Sequence, residues 1–211
     1  MASSSPSRQP TGSHDSRDGL IAATIEIMTE RNSIDFSLSD VAEKSGLNAA
    51  LVKYYFGNKR GLLIAVVEQI AVTALAQMRD LLAMEISPEA KVRLHIAGIM
   101  KIYVRHPYYN RLIHSLQDSD DPEVARLFVS PLIEAQRILL EEGVEAGIFR
   151  KTDPIFFYIS VVGACDHFFY SSNTLKQACG FASVTDIQLK AYTQHVADMI
   201  IASFSIQPSV R

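Results

Sequence analysis

Residues 37–59, SLSDVAEKSGLNAALVKYYFGNK, constrain this chain more than any other stretch. Ser37 followed three residues later by Asp40 is the pattern of a capping box, in which hydroxyl and carboxylate each satisfy a backbone N–H at a helix start. Gly46 can take the left-handed conformation that ends a helix, and Asn48 is placed to cap a second one. Between these signals Val41, Ala42, Leu47, Leu51 and Val52 are the apolar positions that two short helices need to pack across a tight turn. The spacing predicts a helix-turn-helix whose second helix, over 48–56, enters a DNA groove.

Composition leaves that reading room without announcing it. The 211 residues are 48% hydrophobic, enough for one substantial core or a small domain joined to a larger one, and the net charge is -3 with a pI near 6.1. Up to Gly61 seven cations (Arg8, Arg17, Arg31, Lys44, Lys53, Lys59, Arg60) face seven acids (Asp15, Asp18, Glu26, Glu30, Asp35, Asp40, Glu43). DNA affinity must then depend on where the cations point and on having two copies of the site. Apolar stretches are broken by Glu, Gln, Lys or Asp, which predicts no membrane span. The Ser- and Pro-rich start reads as a flexible arm over 1–16, without a secretion signal, in a soluble cytoplasmic protein. Cys165 and Cys179 have no metal or redox spacing and read as free thiols.

The order of capped helix, Ala42, Gly46-Leu47, then Tyr54-Tyr55-Phe56-Gly57-Asn58-Lys59 and Leu62-Leu63 resembles the DNA-binding domain of the TetR/AcrR family of bacterial transcriptional regulators. The resemblance covers 17–63, and its specific part is the aromatic-rich helix running into an Asn-Lys helix start. It implies an all-α chain: a three-helix helix-turn-helix domain over 17–61, then a larger helical effector-binding and dimerisation domain over 62–206, with a tail at 207–211. It implies a homodimer on a palindromic double-stranded operator, half-sites ~34–36 Å or a small multiple apart, released by a small-molecule effector. DNA contacts are implied at Ser37, Ser39, Asn48, Ala49, Ala50, Lys53, Tyr54, Tyr55 and Lys59. Against the common pattern Lys53 replaces Tyr, Tyr55 replaces His, Leu51 replaces Thr and Asn32 stands where Gly is usual. Phosphate positioning by Lys53, Tyr54 and Tyr55 is better supported than base readout, because no Arg, Gln or further Asn follows the cap. One of the two tyrosines is expected to fill the gap between helices, and Phe56 to be core.

The rest of the chain carries helical spacing and cap signals in alternation, about nine helices in all. Leu20, Ile21, Thr24, Ile25, Ile27 and Met28 mark a first helix over 17–31, closed by Asn32. Asn58 caps a long helix through 62–84, whose first turn brings Lys59 and Arg60 to one helix N-terminus, where a phosphate can sit. Ser87-Pro88 opens a helix that stops at His106-Pro107, a short helix follows over 108–116, and a polar turn spans 118–122. A helix over 123–145 contains Pro131, which should kink it, and Gly147 ends it. Asp153-Pro154 opens a helix to 170 that is apolar almost all round and so needs cover on every side. Residues 171–185 read as a loop, and a last helix runs over 186–204; the final two helices suit a four-helix bundle formed with a second copy.

No GxSxG, GxGxxG, Walker loop or HExxH occurs, and the six histidines have no ligand spacing, so neither an enzyme nor a metal or other cofactor is expected. His95, Met100, Tyr103, Tyr109, His114, Phe128, Phe157, Asp166 and His167 are the residues expected around an effector cavity, read from the resemblance; core aromatics and satisfied histidines are the alternative for each. Two alternatives to a ligand-released repressor stay open: a helical small-molecule binding or catalytic protein without operator binding, and a transcriptional activator.

Overall fold

The computed structural model describes residues 13–117, 122–180 and 185–206. The expected tail, the polar turn at 118–121 and residues 1–12 of the expected arm lie outside the described residues. The chain divides into two compact units, Met1–Val66 and Val67–Arg211.

The first unit holds α1 (Ser13–Arg31), α2 (Leu38–Ser45), α3 (Ala50–Phe56) and the start of α4 (Lys59–Ala83). Helix α1 begins four residues earlier than its apolar stripe predicts: residues 13–18 contain neither Gly nor Pro, and Asp15 suits the positive end of the helix dipole. The end of the expected arm is thus helical. Asn32, at φ 44, closes α1 in the left-handed conformation. The capping box at α2 is complete, with Ser37 Oγ accepting the Asp40 N–H at 3.1 Å, Asp40 Oδ2 accepting the Ser37 N–H at 2.7 Å, and Gly46 left-handed at the far end. Helix α3 starts at Ala50 and not at 48, because Asn48 folds into a turn of its own. Its Oδ1 accepts the Ala50 N–H at 2.8 Å, and its carbonyl accepts the Leu51 N–H at 2.9 Å. Leu20, Ile21, Met28, Val41, Val52 and Leu62 are wholly buried and form the core of this unit.

Asn58 Oδ1 accepts the Gly61 N–H at 2.9 Å and so opens α4, which runs 25 residues across the division between the units. By length and composition α4 is apolar enough to cross a bilayer, where the sequence predicts no such segment: Glu68 and Gln69 interrupt it too briefly. Half of its most apolar 18-residue stretch is buried inside the fold.

The second unit holds the rest of α4, α5 (Pro88–Arg105), α6 (Tyr109–Gln117), α7 (Ser130–Glu145), α8 (Pro154–Tyr170), α9 (Ser172–Cys179) and α10 (Asp186–Phe204). Ser87 and Asp153 cap α5 and α8 ahead of their prolines as expected. One reading holds with a difference and one is corrected. The chain is helical throughout the expected 123–145, but in place of a kink at Pro131 it carries a π-turn, Ala125–Val129, that runs into α7; Ser130 donates to the Ala125 carbonyl. Pro131 has no N–H and its ring crowds the carbonyl four residues back, and the wider π-turn relieves both. The expected loop contains α9, a short helix closed by left-handed Gly180, which makes ten α-helices among the described residues.

At the end of α7, left-handed Gly147 sits in a Schellman motif, with the Gly147 N–H on the Val144 carbonyl and the Ile148 N–H on the Gly143 carbonyl, both at 3.0 Å. The motif turns Phe149 back against α7, where its buried ring meets Phe204 edge-on at 4.6 Å. A Cβ on Gly143 would overlap the Phe149 ring, which is itself buried. Gly143→Ala is therefore expected to cost about 2 kcal/mol by overpacking, despite its better helix propensity, and urea unfolding measures it. Unchanged or raised stability would show that the ring can move.

Candidate nucleic-acid interface and ligand cavity

The two caps fix what the first unit presents. Ser37, Ser39, Asn48, Ala50, Lys53 and Tyr54 are exposed, whereas Ala49, Tyr55 and Lys59 are half-buried. Tyr54 is 77% exposed, and its ring meets Tyr55 edge-on at 4.8 Å. Tyr55 in turn meets Phe56, over which the Arg17 guanidinium lies at 5.4 Å, so Phe56 is half-buried and not fully in the core.

The cations divide by partner. Lys44 is taken up by Glu30 at 2.6 Å and Glu26 at 3.2 Å, and Arg31 by Asp40 at 3.0 Å; that guanidinium, with the Ser37 N–H, pulls the Asp40 carboxyl down to about 2. Lys59 donates to the Phe36 carbonyl at 2.6 Å and lies 4.1 Å above the Phe36 ring. It ties the first turn of α4 to the segment that enters α2, and one of its three donors is already in use. Lys53 is exposed and makes no ion pair among the described residues.

In the second unit a cavity of about 300 Å³ opens between α4, α5, the π-turn and α7. Met78, Leu81, Ile99 and Leu132 are its buried walls, Phe128 its aromatic side, and His95 its polar one. His95 Nε2 lies 2.8 Å from Gln136 Nε2, so the amide donates and the ring accepts; burial holds the imidazole down to about 4, neutral at physiological pH. Gln136 is wholly buried and its Oε1 has no partner among the described residues. A second, more open groove of about 630 Å³ lies between α5 and α10, and shares Ala97 and Lys101 with the first.

The nine expected cavity residues fall at several places in the second unit. His95 and Phe128 line the first cavity and Met100 the second. Phe157 stacks on His95 at 6.4 Å, and Tyr103, Tyr109, Phe128 and Phe169 form a ring cluster with centroids 5.4–6.2 Å apart. Burial, with Asp166 adding to it, pushes the Tyr103 hydroxyl far up, and burial does the same to Tyr109, whose hydroxyl has no partner among the described residues. Asp166 also reaches His114 at 3.5 Å on the outside, and His167 is exposed beside Tyr170. Sequence reasoning missed the aliphatic walls, the rim residue Lys101 and Gly98 in the middle of α5. A glycine inside a strongly helical run was the one signal available. Cys165 is buried, its thiol pushed up to about 12 by that burial, and Cys179 is exposed; both are free. Among the described residues no group of three His, Cys, Asp or Glu side chains is placed to hold a metal.

Comparison with known proteins places both units. Residues 20–66 match the family model described as bacterial regulatory proteins, tetR family, and residues 85–208 match that of the tetracyclin repressor-like C-terminal domain. The chain is 26% identical over 166 residues to the HTH-type transcriptional repressor NicS of Pseudomonas putida, a match spanning 74% of this chain and 76% of that one. It is 41% identical over 54 residues to the HTH-type transcriptional regulator BetI of Stenotrophomonas maltophilia, which covers 26% of this chain and 28% of BetI. In fold it resembles the transcriptional regulator FadR from Bacillus subtilis in complex with stearoyl-CoA, at a TM-score of 0.68 and 16% identity over 88% of this chain and 97% of that one. A TetR/AcrR-family regulator from Thermobifida fusca gives 0.66 and 21% over 89% and 97%.

Proposed function

Since this chain belongs to the TetR family of bacterial transcriptional regulators, we propose that it is a cytoplasmic repressor that binds a palindromic operator as a homodimer and is released by a small-molecule effector. It works as a regulator and not as an enzyme. The observation that carries this reading is α4 itself: one helix supplies both Lys59, at the mouth of the DNA-binding unit, and Met78 and Leu81, in the wall of the cavity. A ligand that favours one placement of the cavity end of α4 favours one placement of its first turn, and operator and effector then oppose each other by linkage.

Dimerisation is supported by what α8 and α10 leave uncovered. Phe156 is 68% exposed and Ile187 82%, with Ile155, Ile159, Tyr170 and Met199 also open. On α8 these flank Ser160 and Gly163, and the space over Gly163 is empty, so a second helix can approach the backbone there. At the operator Ser37, Ser39, Asn48, Ala49, Ala50, Lys53, Tyr54, Tyr55 and Lys59 are proposed as the contact set, with Lys53 the phosphate cation and Tyr54 the side chain that reaches furthest.

Selection of DNA from a random pool by the purified protein near physiological salt tests the reading. Enrichment of a palindrome supports it, and no enrichment at any site length removes it. Lys53→Ala is expected to weaken binding to all sequences alike and to lower the log–log salt slope by about 2, one phosphate contact per subunit. An unchanged slope measured by fluorescence anisotropy would remove Lys53 from the phosphate set.

A further inference from the structure

The lining of the two adjoining spaces defines a ligand more narrowly than "small molecule". The first cavity is walled mostly by flexible aliphatic and thioether side chains with the Phe128 ring; its buried polar group, His95, is uncharged, and its other polar side chains, Gln77 and Lys101, are exposed. An ion has no partner inside it, and an unpaired buried charge is strongly disfavoured. A hydrocarbon chain fits those walls, and about 300 Å³ is the lower end of the range for small-molecule sites, which suits a single chain.

The rim is charged, and with one sign in excess. Lys101 borders both spaces and is exposed. The adjoining groove adds Lys190 and Arg93 against one carboxylate, Asp186. Arg93 is paired with Asp198 at 2.6 Å, while Lys101 and Lys190 make no ion pair among the described residues. Gly98, one turn from Lys101 on α5 and lining the same cavity, has nothing within 4 Å of where a Cβ would stand and an ordinary helical φ. A residue that weakens a helix thus sits where its missing side chain leaves the space open.

We infer that the effector is a single-chain anionic amphiphile, its hydrocarbon chain between α4, α5 and α7 and its anionic head on Lys101, with the Lys190 groove giving room for a head larger than a carboxylate. The inference rests on the reading of this unit as the effector-binding one. It is tested by calorimetric titration of the full-length protein with decanoate, decanol and decyltrimethylammonium, each below its micelle-forming concentration. Decanoate is expected to bind at least about tenfold more tightly than either of the others, as a charge-assisted contact at the rim allows. Lys101→Gln is expected to remove that preference and leave decanol binding unchanged. Gly98→Leu is expected to fold at least as well as the parent by circular dichroism and to abolish binding of all three. Absence of decanoate binding, equal or tighter binding of the alcohol or the cation, or unchanged decanoate binding by folded Gly98→Leu overturns the assignment. Anisotropy of an operator fragment in the same titration separates the two levels: decanoate bound with the expected pattern but without operator release sustains the ligand class and removes the effector-release mechanism.

Discussion

Glu142→Ala is expected to destabilise the second unit by about 3–5 kcal/mol, more than Lys91→Ala, although the pair they break is the same. Lys91 Nζ lies 2.7 and 2.8 Å from the two Glu142 oxygens and 2.8 Å from the Leu82 carbonyl. The two ends differ in their access to water: the Lys91 side chain is 4% exposed and that of Glu142 38%. Removing the acid leaves an ammonium in the interior with one neutral acceptor. Removing the lysine leaves a carboxylate that can turn to solvent, at a cost nearer 1–2 kcal/mol. The lysine also satisfies one of the last carbonyls of α4, a group with no partner inside its own helix. The effect of either change therefore falls on the cavity end of the helix that begins at Lys59. Urea unfolding of both single variants and of Lys91→Met with Glu142→Ala tests the asymmetry. The double variant should recover most of the loss, since it buries no unpaired charge; a larger loss in Lys91→Ala than in Glu142→Ala would overturn the account.

Neither Lys91 nor Glu142 stood out in the sequence, and the reason is general. Cap chemistry is local, so Ser37 with Asp40, Asn58, Ser87-Pro88 and Asp153-Pro154 could be read directly, and each opens a helix where expected. Periodicity assigns a residue to a face but does not name what that face meets. Lys91 and Glu142 are 51 residues apart and His95 and Gln136 are 41 apart, so only the fold brings either pair together. Helix α9 escaped for the opposite reason: Ser171 gives it no side-chain cap, it has no proline at its start, and its one clear signal, Gly180, marks its end. Pro131 announced an irregularity, but whether a kink or a π-turn absorbs it depends on the neighbouring helices. The packing of α2 against α3, and hence which of their side chains are exposed, was legible because two short helices have few ways to pack. The cavity was not, because an aromatic or histidine on a helix says nothing about which side of it is empty.

His95 makes the cavity sensitive to acid, and the direction follows from its burial. The ring titrates near 6.5 when unfolded and is held to about 4 in the fold, so between those values the unfolded chain binds a proton that the folded one does not. The stability this neutral ring contributes is fully present above 6.5 and is lost progressively as pH falls through about 4, about 3 kcal/mol in all by the ordinary conversion of a pKa difference. Protonation also puts a second N–H against the Gln136 amide nitrogen 2.8 Å away, which forces the amide to turn its unpartnered Oε1 toward the ring. Half-buried His106, lowered by burial and by Arg105, adds a loss of the same sign, whereas Asp40, lowered from 3.8 to about 2, begins to lose its contribution only at the bottom of this window. Unfolding midpoints in urea from pH 7 down to pH 4 are therefore expected to fall steeply in the parent and markedly less in His95→Gln, which keeps a hydrogen bond to Gln136 but cannot titrate. Parallel curves for the two proteins would show that His95 is not the group that responds. A ligand chain filling the cavity shields the ring further from water and lowers it further, so saturating decanoate should keep the parent curve falling steeply to lower pH, away from that of the variant, and Gly98→Leu, which fills the same space covalently, should do so without any ligand.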